Sequence, residues 1–329
     1  MLDSRLSSLR QWLGALALPW QLDLDTLVSA SADASFRRYF RIRSTKASYP
    51  TLIVMDAPPD KESVEPFVRV ARLFNQAQLN VPQILAENQL AGFLLLSDLG
   101  STTYLDALTS SNADKLYREA IVALVKLQLA SQADILPAYD AELLQRELDL
   151  FPEWYLQRHL QMILNSKQQT QLSACFNLLI KNNLAQSKVF VHRDYHSRNL
   201  MFSPNINPGI LDFQDAVYGP ITYDLTSLLR DAYIQWPEEN VIAWVIFYWE
   251  SARNVGLKVP PDFGDFFRDF EWMGLQRHLK ILGIFARLNY RDGKNGYLKD
   301  IPLVLDYAIK VATRYAEFKP LARLLEAVH

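Results

Sequence analysis

Residues 189–219 read VFVHRDYHSRNLMFSPNINPGILDFQDAVYG, and the rest of the chain is organised around them. Val189, Phe190 and Val191 read as a short strand feeding a polar loop, and Leu200, Met201 and Phe202 read as a second strand. Residues 203–209 carry two prolines, two asparagines and a glycine, the residues of tight turns. Ile210 and Leu211 then lead straight into Asp212. The pattern is therefore a hairpin that brings Asp194, Asn199 and Asp212 towards one place.

Those three side chains suit phosphoryl transfer. The protein's task there is to position the reactants and neutralise phosphate charge, so it needs hard oxygen ligands for Mg²⁺ and an acceptor for the substrate hydroxyl's proton. Asp194 is the expected catalytic base, with Asn199 and Asp212 as metal ligands and ATP as the phosphoryl donor. His192, Asp194 and Asn199 fit the spacing H-x-D-x-x-x-x-N, and Asp212-Phe213 fits a D-F-G-like strand end. On these motifs the chain resembles the aminoglycoside phosphotransferase family, kinase-like enzymes that act on small molecules. That resemblance implies an α+β, bilobal protein-kinase-like fold, with a small antiparallel-sheet N-lobe over residues 1–98 and a mainly helical C-lobe over 99–329.

The N-terminal hundred residues agree with that expectation. Leu2, Leu6, Leu9, Trp12, Leu13 and Leu16 recur at helical spacing up to Pro19. Strands are expected over 25–28, 36–42, 51–55, 84–85 and 93–96. A helix face is expected at Val64, Phe67, Val68, Ala71 and Phe74. Ser97-Asp98-Leu99-Gly100 falls where the fold places its hinge, which makes Asp98 and Leu99 nucleotide-binding candidates. Ser31, Asp33 and Ser35 stand in the turn expected to cover the phosphates, and that turn has no glycine. The third strand ends in Met55-Asp56 where kinases carry a phosphate-binding Lys, and Phe67 stands where its helix Glu partner is expected. The missing cation is assigned to Arg38 first and to Lys61 second, with solvated surface charge as the plain alternative. Asp56 would repel phosphates if it faced them.

Helices are expected over 112–130, 140–165, 167–185, 222–234, 238–253, 262–288 and 301–327. Only seven residues separate Phe213 from Ile221, too few for an activation loop or peptide platform, so the substrate is small. The resemblance implies that Asp224, at a helix start, holds the catalytic loop by its backbone N–H groups, with a helix N-cap as the plain alternative. His192 and His196 are read as structural. Substrate candidates are Arg198 and Asp215 near the loop, with Arg287 and Arg291 suited to a carboxylate.

Several longer phrases, SFRRYFRI (35–42), VMDAPPDKE (54–62), LDFQDAVYGP (211–220) and GIFARLNYRDGKNGYLKDIP (283–302), resemble the anomeric amino-sugar kinases of peptidoglycan recycling. This implies ATP-dependent phosphorylation of the C1 hydroxyl of N-acetylmuramate or N-acetylglucosamine to the sugar 1-phosphate.

Composition bounds the rest. Half of the 329 residues are apolar, which is ample for a sizeable core. A formal net charge of −2 gives no electrostatic case for nucleic acid or an anionic membrane. The single cysteine, Cys175, excludes an internal disulfide framework and fits a reducing compartment. Asp3, Arg5 and Arg10 interrupt the N-terminal leucines, so no leader is expected. The longest apolar run, residues 241–249, is half of what a bilayer crossing needs. A cytoplasmic protein is the default. The sugar substrate is what the resemblance implies, with another small-molecule kinase of the aminoglycoside, choline or homoserine type or a nucleotide-binding pseudokinase as the alternatives. Nothing in the sequence indicates its oligomeric state.

Overall fold

The computed structural model describes residues 3–32, 36–203 and 206–328. It divides into two compact units, Met1–Thr102 with Met201–Asp215, and Thr103–Leu200 with Ala216–His329.

In the first unit, α1 (Ser4–Trp20) precedes a five-stranded antiparallel sheet. The strands are β1 (Leu22–Ala32), β2 (Arg38–Ser44), β3 (Thr51–Asp56), β4 (Ile84–Asn88) and β5 (Phe93–Ser97), in the spatial order β1-β2-β3-β5-β4. Helix α2 (Glu65–Gln76) lies between β3 and β4 in sequence. The expected order of elements is thus present. Leu9 and Leu13 of α1 are fully buried against Ile42, Leu52, Val54, Phe93 and Leu95, and each such leucine contributes about 1.5–3 kcal/mol. Pro19 lies inside the last turn of α1 instead of ending it. The helix stops two residues later, where Gln21 adopts φ 50°. The turn expected from residue 29 begins later too, because β1 pairs with β2 as far as Ala32↔Arg38.

The second unit is mainly helical. Helices α3 (Tyr104–Ala107), α4 (Ala113–Leu129), α5 (Ala141–Leu150) and α6 (Ser166–Ala185) lead to β6 (Lys188–Val191). The chain passes into the first unit within β7 (Leu200–Met201), which pairs with β8 (Gly209–Ile210), and returns after Asp215. The hairpin assigned wholly to residues 99–329 is therefore shared between the two units. The strand β9 (Val217–Pro220), not foreseen from the sequence, pairs with β6. Helices α7 (Tyr223–Leu229), α8 (Glu238–Asn254), α9 (Phe263–Tyr290), α10 (Ile301–Arg314) and α11 (Lys319–Glu326) complete the unit.

Two expected long helices are broken. After Leu150 the chain opens into a π-helical stretch, Phe151–His159, containing Pro152, whose missing N–H cannot continue the α-helical ladder. The segment 301–327 is interrupted at Tyr315 and restarts with Pro320 in its first turn. Helix α7 also stops at Leu229, short of the expected residue 234.

The organising element of this unit is α9, in which every residue from 270 to 283 is buried. Gly283 permits its close crossing with α5, since an added Cβ would lie 2.4 Å from the Leu150 carbonyl. Glu271, Gln276, Arg277, His278 and Lys280 are among the buried residues, and buried charges require partners.

Candidate active site

The catalytic loop runs from β6 to β7 in the second unit. Asp224, fully buried at the start of α7, accepts the backbone N–H groups of His192 at 2.6 Å and Arg193 at 3.0 Å. Burial raises its carboxyl to about 7, although both N–H groups and Arg277 favour the ionised form. Asp231 accepts Ser197 N–H at 2.9 Å and Tyr233 N–H at 3.1 Å. The loop backbone is therefore held at both ends by carboxylates. Arg193 is forced to φ 78°, a left-handed conformation that a non-glycine residue adopts only when its surroundings over-determine it. His192 is buried and accepts the Asp194 N–H at Nδ1, 3.3 Å away.

Asp194 presents a side chain that is 43% exposed. Burial of its surroundings opposes ionisation, but Lys280 and then Arg277 outweigh it and hold the carboxyl at about 2. Arg277 Nη1 lies 3.9 Å from Asp194 Oδ1 and donates to the Arg193 carbonyl at 3.4 Å. Asn199 Nδ2 donates to the Asp194 carbonyl at 3.0 Å, so Oδ1 is the amide atom suited to ligating a metal. His196 is partly buried, and burial lowers its pKa.

Behind the loop lies a charge network that sequence reading missed. Glu147 of α5 accepts Arg193 Nη2 at 2.7 Å and Lys280 Nζ at 2.8 Å, along with the Tyr139 hydroxyl. Lys280 also donates to the Tyr223 hydroxyl at 3.0 Å. Burial alone would raise Glu147, but Lys280 and Arg193 bring it down to about 2. The available signal was Arg277 and Lys280, two cations set among the large apolar residues of a long helical stretch.

The remaining candidates in this unit differ in their engagement. The Arg198 guanidinium stacks 3.7 Å from the Tyr233 ring centroid. Arg287 is partly buried, with its Nε lacking a hydrogen-bond partner among the described residues. Arg291, exposed at the end of α9, bonds the neighbouring Asp292 at 2.7 and 2.9 Å, as a surface pair.

The first unit holds the other candidates. Asp212 adopts φ 62° and its Oδ1 accepts Gln214 Nε2 at 2.8 Å. Phe213 packs on Phe67 at 4.9 Å and Phe74 at 5.7 Å, so the apolar residue found where a Glu was expected anchors the D-F strand end. Asp215 is exposed. Asp98 accepts Arg41 through both carboxylate oxygens, at 2.6 and 3.1 Å. Leu99 packs over Gly209.

The expected threat from Asp56 does not arise. It is fully buried, with Arg5 on one oxygen and Arg38 on the other. Arg5 also donates to the Ala91 carbonyl at 2.6 Å, and Arg38 also bonds Asp3. Arg38, the first choice for a phosphate cation, is thus already paired. Lys61 is exposed, 3.8 Å from Asp60. Arg37 is buried and pairs with Glu62, a second ion pair that sequence reading did not single out. Asp33 and Ser35 lie outside the described residues, and Ser31 is placed only by its backbone pairing with Tyr39.

Comparison with known proteins bears on these arrangements. A model of the phosphotransferase enzyme family matches residues 26–255. The chain is 49% identical over 321 residues to the N-acetylmuramate/N-acetylglucosamine kinase of Neisseria meningitidis serogroup B, covering 96% of this chain and 94% of that protein. It is 47% identical to the Pseudomonas aeruginosa kinase of the same name, covering 99% and 97%. Among solved structures, a Cryptosporidium parvum choline kinase has a TM-score of 0.63 at 13% identity, over 96% of this chain and 99% of that one. ADP-bound aminoglycoside phosphotransferase APH(2'')-Ib has a TM-score of 0.60 at 14% identity, over 91% and 97%. These two share the fold.

Proposed function

Because the chain belongs to the phosphotransferase enzyme family, we propose that it transfers the γ-phosphoryl group of ATP to the anomeric hydroxyl of N-acetylmuramate and N-acetylglucosamine. The observation that carries this reading is its near-full-length identity to kinases of that name.

In this reading Asp194 accepts the proton of the C1 hydroxyl as the sugar oxygen bonds to phosphorus and the ADP oxygen departs. A carboxyl held at about 2 is ionised at neutral pH, so it can accept the hydroxyl's hydrogen bond and take its proton as the bond to phosphorus forms. Arg277 and the clamped loop backbone fix its position. The hard oxygens of Asn199 and Asp212 fit Mg²⁺, which when bound neutralises phosphate charge. Residues 1–98 would cover the nucleotide, with Asp98 and Leu99 at its edge and Lys61 or Arg38 near the phosphates, while 99–329 would carry the acceptor. Arg287, Arg291 and Asp215 remain acceptor-side candidates. A cytoplasmic location suits ATP, and no helix among the described residues is long and apolar enough to cross a membrane.

The test is ADP release with Mg²⁺ and a panel of amino sugars, aminoglycosides and choline. Turnover is expected with the two N-acetyl sugars. Turnover confined to aminoglycosides or choline would overturn the reading.

A further inference from the structure

We propose that Arg198 receives the carboxylate of the acceptor and so sets the preference for N-acetylmuramate over its neutral counterpart. This rests on the function proposed above. Arg198 lies in the catalytic loop, four residues beyond Asp194. Its guanidinium stacks 3.7 Å from the centroid of Tyr233 and 5.8 Å from that of Tyr297. Partly buried, it forms no hydrogen bond or ion pair among the described residues. In the same unit Arg193 and Arg230 both meet carboxylates, Glu147 and Glu238. Asp231 is engaged by the Ser197 and Tyr233 N–H groups, and Arg198 acts on Asp300 through space, favouring its ionised form.

An arginine fixed by stacking loses little further freedom on binding, and its edge presents paired donors that match a carboxylate. Asp300 Oδ2 is buried without a partner among the described residues and supplies an acceptor for an amide or hydroxyl donor. Tyr297, only partly buried, adds a ring of the kind on which sugar C–H faces pack. A cation, an acceptor and aromatic surface together match an acidic sugar better than a phosphate, which makes no use of the rings.

Steady-state kinetics of the unaltered enzyme, Arg198→Met and Arg198→Lys test this, with both sugars and with ATP varied. In Arg198→Met the ratio of kcat/KM for N-acetylmuramate to that for N-acetylglucosamine is expected to fall about tenfold or more. Arg198→Lys, which keeps the charge without the fork, is expected to show a smaller fall, and it decides the matter should the Met variant not fold. An unaltered ratio with both sugars weakened together, or a rise in the ATP KM with the ratio held, would overturn the assignment. Turnover of neither sugar by the unaltered enzyme would instead overturn the function itself, and this inference with it.

Discussion

Each unit buries a carboxylate between two cations, but the two clusters serve different ends. In the first unit Asp56 lies between Arg5 and Arg38, whose side chains remain 26% and 37% exposed. In the second, Glu147 lies between Arg193 and Lys280, at 21% and 7%. The Asp56 cluster ties α1 to the sheet through cations that reach water. The Glu147 cluster is enclosed on its Lys280 side and ties the catalytic loop to α5 and α9. A buried charge is costly when stranded, so the cluster that holds Arg193 of the catalytic loop is the one whose disruption spreads to the reaction.

That contrast sets an order of effects. Glu147→Gln strands Arg193 and Lys280 and is expected to cost about 3–5 kcal/mol in thermal unfolding, together with most turnover. An effect below that of any Asp56 variant would break the comparison. The same carboxylate has a pH signature. Its folded pKa lies below the ordinary value of 4.5, near 2, so its stabilisation is present above about 4.5 and lost as pH falls through 2. It is expected to contribute about 3 kcal/mol of stability at neutral pH that acidification removes. Titrating stability between pH 2 and 5 in the Glu147→Gln variant should show that pH-dependent loss gone.

Asp56→Asn comes next, at about 1–3 kcal/mol, because Arg5 and Arg38 can turn to solvent. Faster amide exchange in α1, with the second unit unaffected, is the expected readout. Global loss of protection would show that the cluster does more than hold α1. Smallest of all, Lys61→Ala should change stability by less than about 0.5 kcal/mol. A rise in its ATP KM would sharpen its assignment as the phosphate cation, while Arg38→Ala is expected to lose stability as well.

The same contrast explains what could be read from the chain. The order of elements along the first unit and the H-x-D-x-x-x-x-N loop were legible through local periodicity, fixed spacing and the family resemblance, and that resemblance alone supplied the role of Asp224. The Arg5–Asp56 and Glu147–Lys280 pairs span 51 and 133 residues, and no local pattern announces such partners. Strand β9 was hidden in a four-residue run, VYGP, whose glycine and proline signal a turn. Its pairing with β6, a tertiary contact, overrides that signal. The break at Pro152 was visible in the sequence, yet the amphipathic pattern ran on through it.

The central claim concerns where the phosphate goes. Phosphorus and proton NMR of the product formed from N-acetylmuramate, ATP and Mg²⁺ tests it most directly. The expected result is a sugar 1-phosphate, its phosphorus coupled to the anomeric proton, absent with Asp194→Asn. A phosphate on the C6 oxygen, or equal product from Asp194→Asn, would contradict the account.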